Sequence, residues 1–320
     1  SDNFFIGKKE NINLIAQKNN YSSEWILNIT NHPNFIAIND IEKALPHDFR
    51  QQNYTYVEPF VGSGAVLFWI LQNYPNIQHA IINDINADLI NAYRIIARQP
   101  NELIEVLQQL EHEFHALVNQ PEQKKEYYYD KRTAFNSRAS DLATQAGLFI
   151  FLNRTCFNGL FRVNKNNAFN VPMGDYKKPT ICDAPNLLAV SELLQRVEIL
   201  NGDYQATLDH VNGDALFYFD PPYKPLSKTS SFNSYAKEEF DDNEQIRLRD
   251  FCQQLDQLNY KWILSNSDVR GKDPNDDFFD DLYQAFTINR VHATRMINAN
   301  ADKRGKLTEL LITNQPKKDY

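Results

Sequence analysis

The 320-residue sequence predicts an α/β fold, in which helices cover both faces of a doubly wound and mostly parallel sheet. Two observations support this fold class. Short apolar segments typical of buried strands alternate along the chain with longer segments of helical periodicity. Near the carboxyl-terminal end, two strand-like segments follow one another with no helical segment between them, which predicts an antiparallel hairpin that closes the sheet.

The predicted elements follow in chain order. The first strand, YTYVEPF, leads through a glycine turn into the helical segment VGSGAVLFWIL, and the second strand, HAIINDI, precedes the helical segments ADLINAYRIIARQ and NELIEVLQQLEHEFHALV. Three more apolar segments predict strands: VEILNGDY, ALFYFDPPY and YKWILSNSD. The amphipathic segment DNEQIRLRDFCQQLDQL predicts a helix between the last two. The terminal hairpin consists of FTINRVHATRM and LTELLITN.

Residues 101–182 interrupt this alternation. They begin with helical segments and continue into GLFRVNKNNAFNVP, whose polar NKNN centre lies between alternating apolar residues. This pattern predicts a β-hairpin. We therefore expect two domains, a discontinuous one of residues 1–100 and 183–320 and an inserted, mainly helical one of residues 101–182.

The composition excludes several classes of protein. Hydrophobic residues make up 42% of the sequence, which is enough for a large core. No apolar run is long enough to cross a bilayer, and SDNFFIGKKENINL lacks the layout of a secretory signal. Cys156, Cys182 and Cys252 are widely separated and form no C-x-x-C pair, so the sequence predicts neither a disulfide framework nor a metal site. We expect a soluble cytoplasmic protein.

The charge is distributed unevenly along the chain. The net charge of -8 argues at first against a nucleic acid partner. Residues 153–178, however, contain five cationic side chains and one acid, and residues 290–306 contain the same numbers, a local net charge of +4 in each stretch. A single basic stretch is usually a solvated surface. Two of them in an acidic chain favour a partner that carries phosphate groups.

Acidic residues stand at four predicted strand ends, where ligands bind in doubly wound sheets: Glu58, Asp84, Asp203 and Asp220. The first strand end adds Gly62 and Gly64, which allow a ligand to approach the backbone closely. Asp84 follows Gly62 by 22 positions, near the spacing at which an acid accepts hydrogen bonds from ribose hydroxyls. The third glycine of the pyrophosphate motif is missing, so an adenosine-bearing cofactor without phosphates fits better than NAD.

Several segments resemble the DNA adenine-N6 methyltransferases of the Dam type (D12 class, alpha group), most of all the members that methylate GATC. These segments are EPFVGSGAV, IND, DPPY, FLNRTCFNGLFRVNKNNAFNVPMGDYKKP, FDPPYKPLSKTSSFNSY and ATRMINANADKRGKLTELLITN. The resemblance implies a Rossmann-like methyltransferase sheet and an inserted target-recognition domain. It also implies the methyl donor S-adenosyl-L-methionine, the product S-adenosyl-L-homocysteine, and double-stranded DNA as the substrate.

The resemblance gives the corner Asp220-Pro221-Pro222-Tyr223 a catalytic role. An adenine amine is a poor nucleophile, because its lone pair is delocalised into the ring. Asp220 and the carbonyl of Pro221 can accept its two N–H bonds, and the prolines fix these acceptors in advance. Tyr223 can stack on a flipped base. The alternative is a plain strand terminator with a surface tyrosine.

The resemblance also implies a cofactor site. Phe60, Gly62 and Gly64 are expected to frame the methionine end, and the carboxylates of Glu58, Asp84, Asp203 and Asp220 complete the site, with Asp84 on the ribose and Asp203 on the adenine. Lys9, or its neighbour Lys8, is the candidate partner of the cofactor carboxylate. The gap from Lys9 to Glu58 is longer than is usual in the family, so residues 16–45 are interpreted as an insertion. Asp203 as a turn residue and Lys9 as a solvated cation are the alternatives.

Target recognition is expected in the inserted segment. By resemblance, base contacts come from Leu160, Arg162, Pro172 and Tyr176, and a wedge beside the extruded adenine comes from Phe157 and Asn158. Arginine is the usual reader of guanine. Phosphate contacts are expected from Arg154, Lys165, Lys177, Lys178, Arg295, Lys303, Arg304 and Lys306. The alternative for Phe157 is an ordinary core ring.

The expected function is therefore site-specific methylation of adenine N6 in duplex DNA, within GATC. Two alternatives stay open at this point: a non-catalytic DNA-binding relative, and an S-adenosylmethionine-dependent N-methyltransferase that acts on RNA or protein. We expect a monomer on DNA. A cognate restriction endonuclease is a candidate partner.

Overall fold

The structure, a computed structural model, describes residues 38–224, 240–271, 273–293 and 307–316. Within these residues, seven strands form one sheet in the order β3-β2-β1-β4-β5-β7-β6. Strands β1 to β5 are parallel, and β7 runs antiparallel to both β5 and β6. The strands are β1 Thr55–Glu58, β2 Ala80–Ile82, β3 Val197–Ile199, β4 Ala215–Phe219, β5 Lys261–Ser267, β6 Thr287–Ala293 and β7 Leu307–Thr313. The predicted fold class is confirmed.

Helices connect the parallel strands and continue into the inserted segment. They are α1 Ile38–Ala44, α2 Ala65–Asn73, α3 Ala87–Arg98, α4 Pro100–Ala116, α5 Pro121–Ser137, α6 Leu142–Thr155, α7 Ala184–Leu194, α8 Asp242–Gln257 and α9 Phe278–Leu282. Local sequence explains where several of them begin. Asn86, Asp141 and Asp241 accept backbone N–H groups as N-caps, and Pro100 and Pro121 occupy first-turn positions.

Both faces of the sheet are buried. In β4, Leu216 and Tyr218 join the core on one face, while Phe217 and Phe219 join the core on the other. A strand covered on both sides has no polar face, which explains why the parallel strands are continuous apolar runs in the sequence. Among the described residues, no helix is long and apolar enough to span a bilayer.

Strand β7 lies between β5 and β6, a position that the sequence pattern left open. Leu310 and Ile312 are buried on one face and Leu311 on the other, so β7 needs cover on both sides. Strand β6 instead carries half-buried polar residues such as Asn289 and suits the edge. The predicted hairpin is confirmed, and its second strand is the one that joins the parallel part of the sheet.

The inserted segment is built around α6, which is buried along most of its length. The Phe151 ring packs edge-on against Phe114 of α4. The predicted hairpin follows as a tight turn closed by an antiparallel bridge between Val163 and Phe169, without long strands. Asn136 of α5 holds one arm, because its amide donates to the Phe169 carbonyl at 3.0 Å and accepts from the Phe169 N–H at 2.8 Å.

Candidate active site

The candidate site lies where the strand order reverses. Strand β1 pairs with β2 on one side and with β4 on the other, and all three are parallel. Glu58 ends β1, and Asp220 directly follows β4. In doubly wound sheets, ligands bind in the crevice at this switch point, so the two strand ends define the position of the site.

The glycine turn after β1 has an open face and a packed face. Gly62 and Gly64 have φ values of +47° and +73°, which favour glycine. A Cβ on Gly62 would meet no heavy atom within 4 Å, whereas one on Gly64 would lie 2.5 Å from Tyr93 Oη and 2.6 Å from Phe68 Cε2. Gly62 therefore leaves space that a ligand can fill, and Gly64 is needed for packing.

Asp84 ties the second strand end to the glycine turn. Its Oδ2 accepts the Gly62 N–H at 3.1 Å, and its Oδ1 accepts the Asn86 N–H at 2.9 Å. Burial raises the pKa of Asp84, and the backbone N–H donors oppose this shift. Each carboxylate oxygen can accept a second hydrogen bond. The expected ribose contact is therefore compatible with this geometry, and it stays a prediction.

Asn83 links three strand ends and was not identified from the sequence as a site residue. Its Nδ2 donates to the Pro59 carbonyl at 3.1 Å and to the Gly202 carbonyl at 2.9 Å, and the side chain is buried. The loops after β1 and β3 are thereby held to β2. The sequence gives no sign of this role, because Gly202 lies far along the chain.

Glu58 lies beneath the glycine turn, with 2% of its surface exposed. Its carboxylate accepts the Tyr56 hydroxyl at 2.8 Å and the backbone N–H of Leu67 in α2. Burial raises the pKa of Glu58 well above its ordinary range, although the Tyr56 hydrogen bond opposes the shift. These contacts make Glu58 a support of the turn, and a direct contact with the cofactor stays a prediction.

Asp203, at the third strand end, is held by an arginine from α8. Its Oδ2 accepts from Arg247 Nη2 at 2.7 Å, and its Oδ1 accepts the Gln205 N–H at 2.9 Å. The Arg247 guanidinium also lies over the Tyr204 ring, at 4.9 Å from its centroid. The Phe60 ring packs against the Tyr204 ring, and the two ring centroids are 5.0 Å apart. The predicted residues Phe60 and Asp203 are thus brought together through Tyr204.

The corner after β4 is fixed by hydrogen bonds from neighbouring elements. Asp220 Oδ1 accepts the Ser265 hydroxyl at 2.8 Å, and the Pro222 carbonyl accepts from Gln245 Nε2 at 3.2 Å. Pro221 is buried, and Asp220 and Pro222 are exposed. The Asp220 carboxylate is therefore exposed to solvent, while Ser265 and Gln245 hold the corner in place.

Three consecutive polar residues at the end of β5 supply most of this support. Ser265 binds Asp220, and Ser267 donates to the Lys224 carbonyl at 2.9 Å. Asn266 points to the opposite face and donates to Gln245 Oε1 at 3.0 Å. Because successive strand residues alternate in direction, the corner is held from both faces of the sheet.

Tyr223 is half-buried, and its hydroxyl forms a hydrogen bond with Ser265. Burial and the nearby Asp220 carboxylate raise the pKa of Tyr223 well above its ordinary range. The phenol therefore stays protonated and lies beside the acceptor group. Stacking of its ring on a base stays a prediction.

The predicted DNA-contacting residues that the structure describes lie in the inserted segment, most of them at its surface. Phe157 is 53% exposed, so the alternative of a core ring is wrong. Asn158 has a φ of +54°, which turns the chain sharply beside Phe157. The remaining predicted base contacts and three of the predicted phosphate contacts are exposed as well: Leu160, Arg162, Pro172, Tyr176, Lys165, Lys177 and Lys178. Arg154 is half-buried.

Arg162 is oriented by a neighbour in the hairpin. Its Nε donates to Asn170 Oδ1 at 2.8 Å, across the two arms of the turn. Such a bond fixes the plane of the guanidinium of this exposed side chain. Two donors in one plane are what guanine recognition requires.

Some predicted residues are not tested by the structure. The predicted residues outside the described part of the chain are Lys8, Lys9, Arg295, Lys303, Arg304 and Lys306, together with most of the predicted insertion at 16–45.

One cation of the second basic stretch has acidic partners. Arg290 Nη2 contacts Asp280 Oδ2 at 2.6 Å, and Arg290 Nε contacts Asp268 Oδ2 at 3.2 Å. Arg290 therefore contributes little to a phosphate-binding surface.

A doubly wound sheet with a glycine turn and acidic strand ends at its switch point is typical of Rossmann-like proteins that bind an adenosine-bearing ligand. The chain belongs to the D12 class N6 adenine-specific DNA methyltransferase family, whose profile matches residues 35–297. It is thus an adenine-specific DNA methyltransferase, and this class requires a methyl donor and a DNA substrate. The matched range does not include Lys9.

Similar proteins come from several organisms. Type II methyltransferase M.MjaIII of Methanocaldococcus jannaschii is 47% identical over 281 residues, which are 87% of this chain and 94% of the relative. Type II methyltransferase M1.LlaDCHI of Lactococcus lactis subsp. cremoris is 38% identical, with 81% and 86% covered. A DNA adenine methylase of Vibrio cholerae is 33% identical, with 88% and 93% covered. These matches do not favour the alternative of an enzyme that acts on RNA or protein.

We predict different effects of alanine at the two glycines of the turn. Gly64→Ala should lower the free energy of unfolding by about 2–4 kcal/mol, because overpacking against Tyr93 and Phe68 adds to the cost of a positive φ. Gly62→Ala should cost only about 1–2 kcal/mol and should weaken binding of the methyl donor, because the added methyl group fills the open face.

Urea unfolding and calorimetric titration measure the two effects. Equal stability of the two variants, or unchanged cofactor affinity in Gly62→Ala, would contradict this assignment of the turn.

We predict that Ser265→Ala lowers kcat for DNA methylation by roughly 10- to 100-fold and leaves cofactor affinity within twofold. A hydrogen bond to a charged group contributes about 1.5–3 kcal/mol, and about 1.4 kcal/mol corresponds to a tenfold change in rate. Steady-state kinetics with saturating DNA measures kcat. Ser191→Ala is the matched control, since this buried hydroxyl donates to the Ala97 carbonyl at 3.4 Å, away from the corner. A wild-type kcat in Ser265→Ala would show that Asp220 does not need this support.

Proposed function

We propose that the protein transfers a methyl group from S-adenosylmethionine to N6 of an adenine extruded from duplex DNA, with GATC as its target sequence. One observation carries this proposal. The carboxylate of Asp220 stands at the exposed end of β4, fixed by Ser265, directly beside the glycine turn that follows the neighbouring strand β1.

The corner supplies the acceptors that an adenine amine needs. Asp220 and the carbonyl of Pro221 accept the two N–H bonds of N6, so the nitrogen lone pair turns away from them. As a bond forms to N6, positive charge develops there, and the Asp220 carboxylate stabilises it. Asp220 can then take up the proton that N6 loses. Because the backbone at Pro222 is held by Gln245, these acceptors need no rearrangement during the reaction.

The residues beside the corner fit an adenosine-bearing methyl donor. Gly62 leaves an open space, and Asp84 can accept hydrogen bonds from ribose hydroxyls. Asp203 and the Phe60 ring lie at the same edge of the sheet. S-adenosylmethionine, when bound, supplies an electrophilic methyl group on a sulfonium. Glu58 supports the turn from below, and Lys9 is retained as the candidate partner of the donor's carboxylate.

DNA recognition is assigned to residues 101–182, with residues 1–100 and 183–320 as the catalytic domain. Phe157 and Asn158 enter the base stack beside the extruded adenine, and Tyr223 stacks on the flipped base. Leu160, Arg162, Pro172 and Tyr176 read base edges. Phosphates are contacted by Arg154, Lys177, Lys178, Arg295 and Arg304. The exposure of Phe157 and the bond that orients Arg162 support this assignment.

The choice of GATC rests on the likeness of the recognition segment to that of GATC-methylating enzymes. Two relatives bear the name type II methyltransferase, which fits a system in which a restriction endonuclease cleaves the unmethylated site. Such an endonuclease is the proposed functional partner of this chain.

We predict that Asp220→Ala abolishes detectable methyl transfer and leaves S-adenosylmethionine affinity largely intact. The lost acceptor matters most as charge develops on N6, so the effect falls on the chemical step. Single-turnover assays with labelled donor measure the rate, and equilibrium titration measures affinity. Turnover near that of the wild type in this variant would refute the catalytic role of Asp220.

We predict that the wild type methylates adenine only within GATC, and that Arg162→Ala also modifies sites that differ at the guanine. Losing one bidentate base contact should reduce discrimination by about 1–3 kcal/mol. Base-resolved mapping of N6-methyladenine in initially unmethylated plasmid DNA identifies the target sequence of the wild type and the additional sites of the variant. Lys177→Ala is the matched control, because loss of a phosphate contact should weaken binding to all sequences alike. Methylation of a different sequence by the wild type would overturn the assignment of GATC but not the chemistry.

A further inference from the structure

Lys124 is a buried cation in the inserted segment, and neither the proposed reaction nor the proposed base contacts use it. It lies on α5, and only 6% of its surface is exposed, whereas its neighbour Lys125 is exposed. Lysine is rarely buried unless its charge has partners. The position therefore requires a physical explanation.

The partners of Lys124 are two backbone carbonyls and an aromatic ring. Its Nζ donates to the Tyr176 carbonyl at 2.7 Å and to the Lys177 carbonyl at 2.8 Å. It also lies 4.3 Å from the centroid of the Phe114 ring, a cation–π distance. Burial lowers the pKa of Lys124, and the nearby Asp175 carboxylate opposes that shift. Two of the three ammonium hydrogens are thus used on consecutive peptide groups.

The backbone that Lys124 holds belongs to a segment without helix or strand. Residues 174–183 follow the hairpin and are fixed largely by side chains of α4 and α5. Beyond Lys124, His115 contacts the Pro179 carbonyl at 2.9 Å, and Glu111 accepts the Ile181 N–H at 3.0 Å. Each anchor holds a different part of the segment. Lys124 holds the part that carries the proposed DNA contacts.

Two carbonyls turned inward direct the neighbouring side chains outward. Tyr176 is 39% exposed, and Lys177 is exposed as well. The Tyr176 ring also packs over Gly174, where a Cβ would overlap it. The main chain at Tyr176 is thus fixed from one side by Lys124 and the ring from the other by Gly174.

We propose that Lys124 is a positioning residue for DNA recognition, whose ammonium group fixes the peptide groups of Tyr176 and Lys177 so that both side chains face the DNA. The inference rests on the proposed function, in which Tyr176 reads a base and Lys177 contacts a phosphate. It adds a residue that touches no DNA and yet sets the sequence preference.

The test compares Lys124→Met with three other variants of the full-length chain. Methionine keeps an unbranched side chain of nearly the same length and removes all three donors. Lys125→Met removes the same charge from the surface of the same helix. Glu111→Ala removes a different anchor of the same segment, at Ile181. Tyr176→Ala removes the proposed base contact itself.

The readout is kcat/KM for a GATC duplex divided by kcat/KM for a duplex with one base pair changed. Tyr176→Ala identifies the base pair at which this ratio falls. At that base pair, Lys124→Met should lower the ratio by about tenfold, within the range for one misread base pair. Its kcat on the GATC duplex at saturation should stay within about twofold of the wild type. Lys125→Met and Glu111→Ala should retain the wild-type ratio. Should Lys124→Met not fold, Lys124→Gln allows the same comparison, because the glutamine side chain is one atom shorter than lysine and uncharged, so it cannot reproduce both ammonium contacts.

The outcomes separate this inference from the proposed function. A wild-type ratio in Lys124→Met, together with a reduced ratio in Tyr176→Ala, overturns the role of Lys124 and leaves the proposed recognition intact. A lower melting temperature of Lys124→Met together with a wild-type ratio also overturns the role in recognition, because it shows that Lys124 contributes to stability alone. A reduced ratio in Glu111→Ala as well overturns the special role of Lys124. An unchanged ratio in Tyr176→Ala at every base pair means that the proposed recognition itself has failed.

Discussion

The pairing of β1 with β4 is the constraint on which the rest of the site depends. These strands are parallel and in register, with Tyr56 opposite Leu216 and Val57 opposite Phe217, so their carboxyl ends lie side by side. Each strand is buried on both faces, and a shift by one residue would exchange the side chains between two differently shaped cores. The glycine turn and the Asp220 corner are therefore held at a fixed separation by the core of the protein.

A second feature is the polar end of β5. Ser265, Asn266 and Ser267 are buried, which is costly for polar groups unless they form hydrogen bonds. Each of them has a partner: Asp220 for Ser265, Lys224 directly after the corner for Ser267, and Gln245, which contacts the corner, for Asn266. A satisfied polar network of this kind favours one arrangement over its alternatives. The interior of the sheet departs from apolar packing at the place where the proposed reaction needs rigid acceptors.

The sequence predicted those parts of the molecule that depend on local patterns. Apolar runs identified the strands, and the acids at their ends indicated the edge where Asp84 and Asp220 lie. Contacts between distant residues were not predictable, because the sequence shows the type of a residue but not its neighbour. Arg247 on Asp203 and Lys124 on the Tyr176 carbonyl are examples. The place of β7 between β5 and β6 was not predictable either, because a hairpin pattern does not show which of its strands pairs with the rest of the sheet. The sequence is compatible with Phe157 as a wedge or as a core ring, and its 53% exposure in the folded chain excludes the core ring.

The central claim is that the corner after β4 receives the amino group of an extruded adenine. A crystal structure of the protein with duplex DNA and S-adenosylhomocysteine tests it most directly. The account predicts that the adenine lies outside the base stack, with N6 about 3 Å from a carboxylate oxygen of Asp220 and from the Pro221 carbonyl. An adenine that stays paired in the duplex, or an N6 that reaches other groups while Asp220 contacts only protein, would contradict it.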